Sequence, residues 1–243
     1  MSKTFIIFGA TGGIGSALSR QLAAQGHHLI LSARSAEPLQ ALASELGADA
    51  KPADATQFDE VDAIIKTAAK EHDLAGVANC VGSLLLKPAH LTSLDEYRYT
   101  ISQNLDSAFF VVKSASRAMY KAGGSIVLFS SAVAMTGLNN HEAIAAAKAG
   151  IAGLVRSAAA TYARRGVRVN AIAPGLTRTP MTERLTSNPA SEKASVSMHA
   201  LGRLGEPEEV AQAAAFLLDA DLSGWVTGQV IGVDGGLSMV RPS

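Results

Sequence analysis

The chain has 243 residues, with 21 Lys and Arg against 21 Asp and Glu, and it is 48% apolar and 17% charged. The apolar share supplies a substantial core and excludes a disordered chain, and the balanced charge leaves no excess to neutralise a nucleic-acid backbone or an anionic membrane. The expected partner is a small molecule. Cys80 is the single cysteine, so no internal disulfide forms and a reducing cytoplasmic setting fits. No run of 18 consecutive apolar residues marks a membrane span, and the apolar stretch at 5–8 is too short for a signal-peptide core.

Short apolar, β-branched runs predict buried strands at 5–8, 29–32, 76–79, 125–130, 168–172 and 230–233. Helical periodicity fills the intervals at 15–25, 38–46, 58–71, 94–121, 143–164 and 207–219. Such alternation predicts an α/β fold, a single doubly wound, Rossmann-type parallel sheet with helices on both faces. No linker or repeat interrupts it, so residues 1–243 read as one domain. The stretch at 179–203 is different: polar, with Pro180 and Pro189 and no sustained apolar period. It reads as a lid-like substrate loop or a plain surface excursion.

Directly after the first strand comes Gly9-Ala10-Thr11-Gly12-Gly13-Ile14-Gly15, and then a helix. Glycines there permit a tight turn and let backbone N–H groups approach a diphosphate, with the helix N-terminus adding its dipole. The pattern is Gly9-x-x-x-Gly13-x-Gly15 rather than GxGxxG. The second strand ends Leu31-Ser32-Ala33-Arg34, with no acid to hold a ribose 2′-hydroxyl and with an Arg able to meet a 2′-phosphate. This favours NADP(H) over NAD(H).

Further along stand Ala53-Asp54-Ala55, Asn79-Cys80-Val81-Gly82, Gln103-Asn104-Leu105 and Phe129-Ser130-Ser131. Beyond them come Pro174-Gly175-Leu176-Thr177-Arg178-Thr179, Gly202–Pro207 and Val233–Gly236. Together with the glycine turn, and in this order and spacing, these residues resemble the short-chain dehydrogenase/reductase family over nearly the whole chain. The glycine turn is similar to the family's cofactor turn. Asp54 stands where the family contacts adenine, and Asn79–Gly82 resembles its Asn-Ala-Gly motif. Asn104 and Ser131 match catalytic positions, the run from Pro174 resembles the nicotinamide-side loop, and the last two segments resemble C-terminal signatures. The resemblance implies cofactor contacts at Gly9, Thr11, Gly12, Gly13, Ile14, Gly15, Arg34, Asp54, Asn79, Val81, Gly82, Lys148, Pro174, Gly175, Thr177 and Thr179. It also implies a homo-oligomer, dimer or tetramer. No metal-ligating motif is read.

One departure carries more weight than the matches. The family places a Tyr four residues before a Lys on one helix, so both side chains share a face. Here the Lys is Lys148 and four before it is Ile144, thirteen residues after Ser131, which is the family's Ser-to-Tyr spacing. The proton donor is therefore absent from its position. Tyr97, Tyr99, Tyr120 and Tyr162 have no sequence reason to reach the site. His141, seven residues before Lys148, lies about two turns away, or roughly 10 Å along the axis, and can share its face. A histidine can donate a proton near neutral pH, although a first-turn His behind an Asn139 or Asn140 cap is also a plain solvated side chain.

The residues support three readings. The first is an NADP(H)-dependent reductase of a carbonyl substrate, resembling 3-oxoacyl-thioester reductases, with Asn104, Ser131, Lys148 and His141 in the catalytic set. Ser83–Leu86 and the 179–203 loop would line its pocket. The second is reduction of an activated C=C bond, where an enolate can take a proton from solvent. The third is a cofactor-binding sensor or partner subunit without hydride transfer.

Overall fold

The computed structural model describes residues 2–241. Seven parallel strands form one sheet in the order β3-β2-β1-β4-β5-β6-β7. They are β1 (Thr4–Phe8), β2 (His28–Ser32), β3 (Asp49–Ala50), β4 (Leu74–Asn79), β5 (Gly124–Phe129), β6 (Val167–Pro174) and β7 (Val230–Val233). The two-residue β3 escapes a sequence reading because it is too short to show any periodicity.

Strand alternation splits the core in two. Ile6, Phe8, Val77, Ile126 and Leu128 point to one face, where α3 (Phe58–Glu71), α5 (Ser107–Ala118) and α6 (Glu142–Tyr162) cover them. Phe5, Ile7, Ala78, Val127 and Phe129 point to the other, under α1 (Gly13–Ala24), α2 (Ala36–Leu46) and α9 (Pro207–Leu218). Burial on both faces is why these strands read as continuous apolar runs. Helix α6 with its following turn is long and apolar enough to cross a membrane by length and composition, yet Ile151, Val155, Ala158 and Ala159 are buried in the core.

The helix expected at 94–121 is broken. It runs as α4 (Leu94–Ile101), a π turn over Ser102–Asp106, and α5. Asn104 sits in the π turn and its Nδ2 donates to the Thr100 carbonyl four residues back, taking an acceptor that an α-helical N–H would use. Side-chain competition for backbone acceptors is the usual cause of such a bulge. Residues 179–203 also hold more structure than expected, with α7 (Glu183–Thr186) and α8 (Pro189–Met198). Asn188 caps α8 by accepting from the N–H groups of Ala190 and Ser191, with Pro189 at the first helical position. The missing apolar period reflects a helix that buries no side chain.

Arg168, on β6, is 8% exposed and ties the sheet to the end of α9 and the short α10 (Ala220–Ser223). Its guanidinium donates to the Leu217 and Ser223 carbonyls and to Ser223 Oγ, each at 2.9 Å. Arg168→Met removes these charge-assisted bonds, while the Leu217 carbonyl keeps the Ser125 hydroxyl and the Ser223 carbonyl keeps the Val226 N–H, so urea denaturation should show a loss of about 1.5 kcal/mol. A loss below about 0.5 kcal/mol would mean that the remaining donors satisfy the carbonyls and the guanidinium adds nothing.

Candidate active site

All strands are parallel, so their carboxyl ends emerge along one edge, and the strand order reverses between β1 and β4. A crevice at such a switch point is where ligands bind in open α/β sheets. Gly9 leaves β1 at φ +73° with its Cα against the backbone of Cys80 and Val81, where a Cβ would lie 2.9 Å from Val81 N. Gly15, one turn into α1, packs on the Gly9 carbonyl so closely that any Cβ would overlap its oxygen. These two approaches hold the start of α1 over the crevice.

A cleft of about 200 Å³ opens there. It is lined by Gly9, Thr11, Gly12, Arg34, Asp54, Val81 and Gly82, together with Ser32, Cys80, Gln103 and Met181. Asp54 is held by Thr56, whose N–H and hydroxyl donate to its Oδ1 at 2.9 and 2.8 Å. Among the described residues, Ser32 Oγ is the one fully buried side-chain polar atom without a hydrogen-bond partner. An orphan of that kind costs about 1–3 kcal/mol and is a polar contact left for a bound group. A glycine-lined turn at a helix N-terminus, an orphaned hydroxyl and an Arg at the rim fit a dinucleotide.

A second cavity, of about 280 Å³, shares Cys80, Val81, Gly82 and Met181 with the cleft. Asn104, Ser131, His141, Ile144 and Lys148 all line it, as do Ile14, Pro174 and Gly175. Asn104 is placed by the π turn. Its Oδ1 accepts from Ser83 N at 3.2 Å and its Nδ2 donates to Ser83 Oγ at 3.0 Å. A Cβ on Gly82 would lie 2.9 Å from Asn104 Oδ1 and 3.5 Å from Lys148 Nζ. A side chain there would press on the Asn104 carboxamide, so glycine leaves these two groups room to face the same space. Ser131 starts a turn at the end of β5, and its Oγ accepts a long bond from Val133 N at 3.4 Å. The neighbouring Ser130 donates to the Lys148 carbonyl at 2.8 Å, pinning α6 to that strand end.

Lys148 is buried, and its Nζ donates to the Phe129 carbonyl at 2.8 Å. Burial pulls its pKa down to about 8. Burial likewise pushes the Cys80 thiol up to about 12, so the thiol is neutral in this environment. Ile144 is 3% exposed and forms apolar wall one turn before Lys148. None of the four tyrosines lines the cavity; Tyr97, Tyr99 and Tyr120 are exposed and Tyr162 packs on the core.

His141 does share a cavity with Lys148 and Ile144, but the helix start differs from the expected asparagine cap. His141 is itself the N-cap, without a side-chain cap bond, and Asn140 takes a left-handed φ of 63°. Asparagine tolerates that conformation better than most residues. The His141 Nδ1 lies 2.7 Å from the Asn139 carbonyl, which can only accept, so Nδ1 carries a proton.

Several expected cofactor positions lie outside both linings. Asn79 is buried, accepting from Val81 N and donating to Ser107, so it shapes the turn carrying Val81 and Gly82. Thr177 is buried with its hydroxyl on the Gly175 carbonyl. Gly13 and Thr179 face each other, a Cβ on Gly13 lying 2.7 Å from Thr179 Cγ2. The loop from 179 onward thus rests on the glycine turn, and Met181, Leu185 and Met198 from it line the cavity. The sequence pointed to the 179–203 loop as pocket lining but not to which of its residues reach in. His199, also missed, is 3% exposed. Its Nδ1 meets the Ser195 carbonyl at 2.7 Å and its Nε2 accepts from Leu176 N at 3.2 Å, which joins α8 to the strand-end loop.

Burial of the Lys148 ammonium also makes stability depend on pH. Below about pH 8 the folded protein carries a buried charge, and between about 8 and the ordinary lysine value of 10.5 the unfolded chain binds the extra proton. Stability contributed by this group therefore rises with pH across that window. Urea melts at pH 7 and pH 10 should show this rise in the wild type and its loss in Lys148→Met, which should be the more stable of the two at pH 7.

The sequence profile described as Enoyl-(Acyl carrier protein) reductase matches residues 9–238. Carbonyl reductase family member 4 of Danio rerio is 36% identical over 99% of this chain and 100% of its own length. A 3-oxoacyl-[acyl-carrier-protein] reductase of Thermotoga maritima is 36% identical over 97% of both chains. Among solved structures, a variant of actinorhodin polyketide ketoreductase with NADPH superposes with a TM-score of 0.90 at 25% identity, covering 98% of each chain. With the glycine turn, the sheet and this match over nearly its full length, the chain belongs to the short-chain dehydrogenase/reductase family of oxidoreductases, which act on carbonyl and alcohol substrates.

Proposed function

We propose that this protein is an NADP(H)-dependent reductase of a carbonyl substrate, of the 3-oxoacyl type or close to it, that works without a tyrosine proton donor. The observation that carries this reading is the convergence of Asn104, Ser131, His141 and Lys148 on one cavity that shares Cys80, Val81, Gly82 and Met181 with the glycine-lined cleft. The nicotinamide supplies a hydride when bound. Gly9, Thr11, Gly12, Val81 and Gly82 would hold the dinucleotide, with Asp54 toward the adenine and Arg34, beside the start of α2, toward a 2′-phosphate. Gly13, Ile14, Gly15, Pro174, Gly175, Thr177 and Thr179 support the turn and the nicotinamide side, and Asn79 acts through the Val81 turn.

Lys148 would turn its ammonium from the Phe129 carbonyl to the ribose, and its charge would favour a developing alkoxide. Ser131 would donate its hydroxyl to the substrate oxygen. His141, with Nδ1–H fixed on Asn139, has only Nε2 free to exchange a proton; when protonated it would pass that proton to the alkoxide directly or through water. Leu84, Leu86, Val133, Met181, Leu185 and Met198 give the cavity an aliphatic character that suits an acyl chain. The α7–α8 segment would act as the lid over it. Exposed Tyr97, Tyr99 and Phe109, with the open small-residue face of α6 at Ala146, Ala149 and Gly153, support a homo-oligomer, and the single reduced cysteine suits a cytoplasmic enzyme.

Buried Ile144 favours one other reading, reduction of an activated C=C bond, in which solvent can protonate the enolate. NADPH oxidation by the purified protein over ketones, 3-oxoacyl thioesters and enoyl thioesters separates the two. Carbonyl turnover is expected, with His141→Ala lowering kcat on the order of 100-fold while NADPH binding is unchanged. NADPH binding without turnover on any substrate would overturn the proposal in favour of a sensor or partner subunit. Arg34→Ala should weaken NADPH about tenfold and leave NADH unaffected; equal losses for both would remove the NADP preference.

A further inference from the structure

At the opposite end of the sheet from the cofactor cleft, three potential metal ligands meet. His28 is the first residue of β2, Asp49 the first of β3, and His72 the residue that ends α3 just before β4. The ligand atoms of all three lie within 4.8 Å of one another. His28 Nε2 and Asp49 Oδ2 are 3.4 Å apart, and the two imidazole rings stack at 4.6 Å between centroids with a 40° tilt.

We propose that His28, Asp49 and His72 form a binding site for a divalent transition-metal ion, with zinc as the representative. The His28–Asp49 separation is too long for a good N–H···O hydrogen bond, which runs about 2.7–3.2 Å. It does match one edge of a tetrahedron, because ligands about 2.0–2.1 Å from zinc sit about 3.4 Å from each other. His72 need only turn inward to complete three of four positions, leaving the fourth for water. The tautomer that the metal needs is open to His28. His28 Nδ1 lies 3.4 Å from Thr4 Oγ1, an equally long separation, so a proton can sit on Nδ1 and leave the Nε2 lone pair for the metal.

Two imidazoles with one carboxylate select zinc, cobalt, nickel or copper over magnesium and calcium, which prefer all-oxygen sites. The position of the site points to a stabilising role, although its fourth coordination position is open. β3 pairs with β2 through Ile30↔Asp49 and Leu31↔Ala50 alone, so a metal there would staple a weak sheet edge to β2 and to the α3–β4 junction. Lys51 and Glu71 border the adjoining hollow and balance each other in charge. Because the three ligands come from separate parts of the chain, no sequence spacing announces them.

The test is zinc chloride titrated into the EDTA-stripped full-length protein, followed by calorimetry and thermal melting. One zinc per chain is expected, with a raised melting temperature. His72→Gln and Asp49→Asn should each weaken binding about tenfold or more, and His141→Ala should leave it unchanged. Both ligand variants replace partly exposed side chains and should keep the metal-free melting temperature. As a second readout, cobalt(II) should give tetrahedral d–d absorption in the wild type and lose it in His72→Gln. No zinc uptake at millimolar concentration, or uptake that survives both ligand variants, overturns the site.

Discussion

A parallel sheet covered on both faces must return every connection over a helix and release every strand's carboxyl end along the same edge. In this protein that constraint places Gly9, Ser32, Asn79, Phe129 and Pro174 side by side at one rim, although they are scattered from the start of the chain to beyond its middle. The reversal of strand order between β1 and β4 then prevents a helix from sealing the rim at that point. The cleft and the cavity beside it are consequences of this topology. So is the opposite pole, where the amino ends of β2 and β3 bring His28 and Asp49 within reach of His72.

Within that frame the site is an electrostatic arrangement in a largely apolar wall. A lysine ammonium is held under the sheet's edge by one carbonyl, and its depressed pKa records how little solvent reaches it. Such a charge interacts strongly with any alkoxide formed nearby, since screening is weak where water is excluded. What the wall lacks is a hydroxyl at position 144, where isoleucine supplies shape without a proton. The groups around it differ in what they can still exchange. Both nitrogens of His199 are engaged in joining α8 to the Leu176 loop, whereas His141 commits only Nδ1.

Backbone irregularity does much of the positioning. The π turn at Ser102–Asp106 rotates Asn104 out of helical register so that it binds both Ser83 and the Thr100 carbonyl. The left-handed Asn140 sets the chain so that α6 begins one residue after His141, which brings His141, Ile144 and Lys148 to one cavity. Each is a local conflict with regular structure, retained where side chains must face a ligand space.

Much of this was legible in the chain alone. The apolar runs from Phe5 to Val233 announce buried strands, because a strand covered on both faces has no polar side to show. The glycine turn is readable from its local spacing after a strand, whereas Asn104, Ser131, Lys148 and the isoleucine at 144 stand out through the resemblance to family motifs. Tertiary structure decided what local spacing does not encode: the break that aims Asn104, the burial that lowers the Lys148 pKa, and the placing of Met181, Leu185 and Met198 on the cavity wall. It also decided the meeting of His28, Asp49 and His72, since their proximity comes from strand order and the end of α3 rather than from any pattern along the chain.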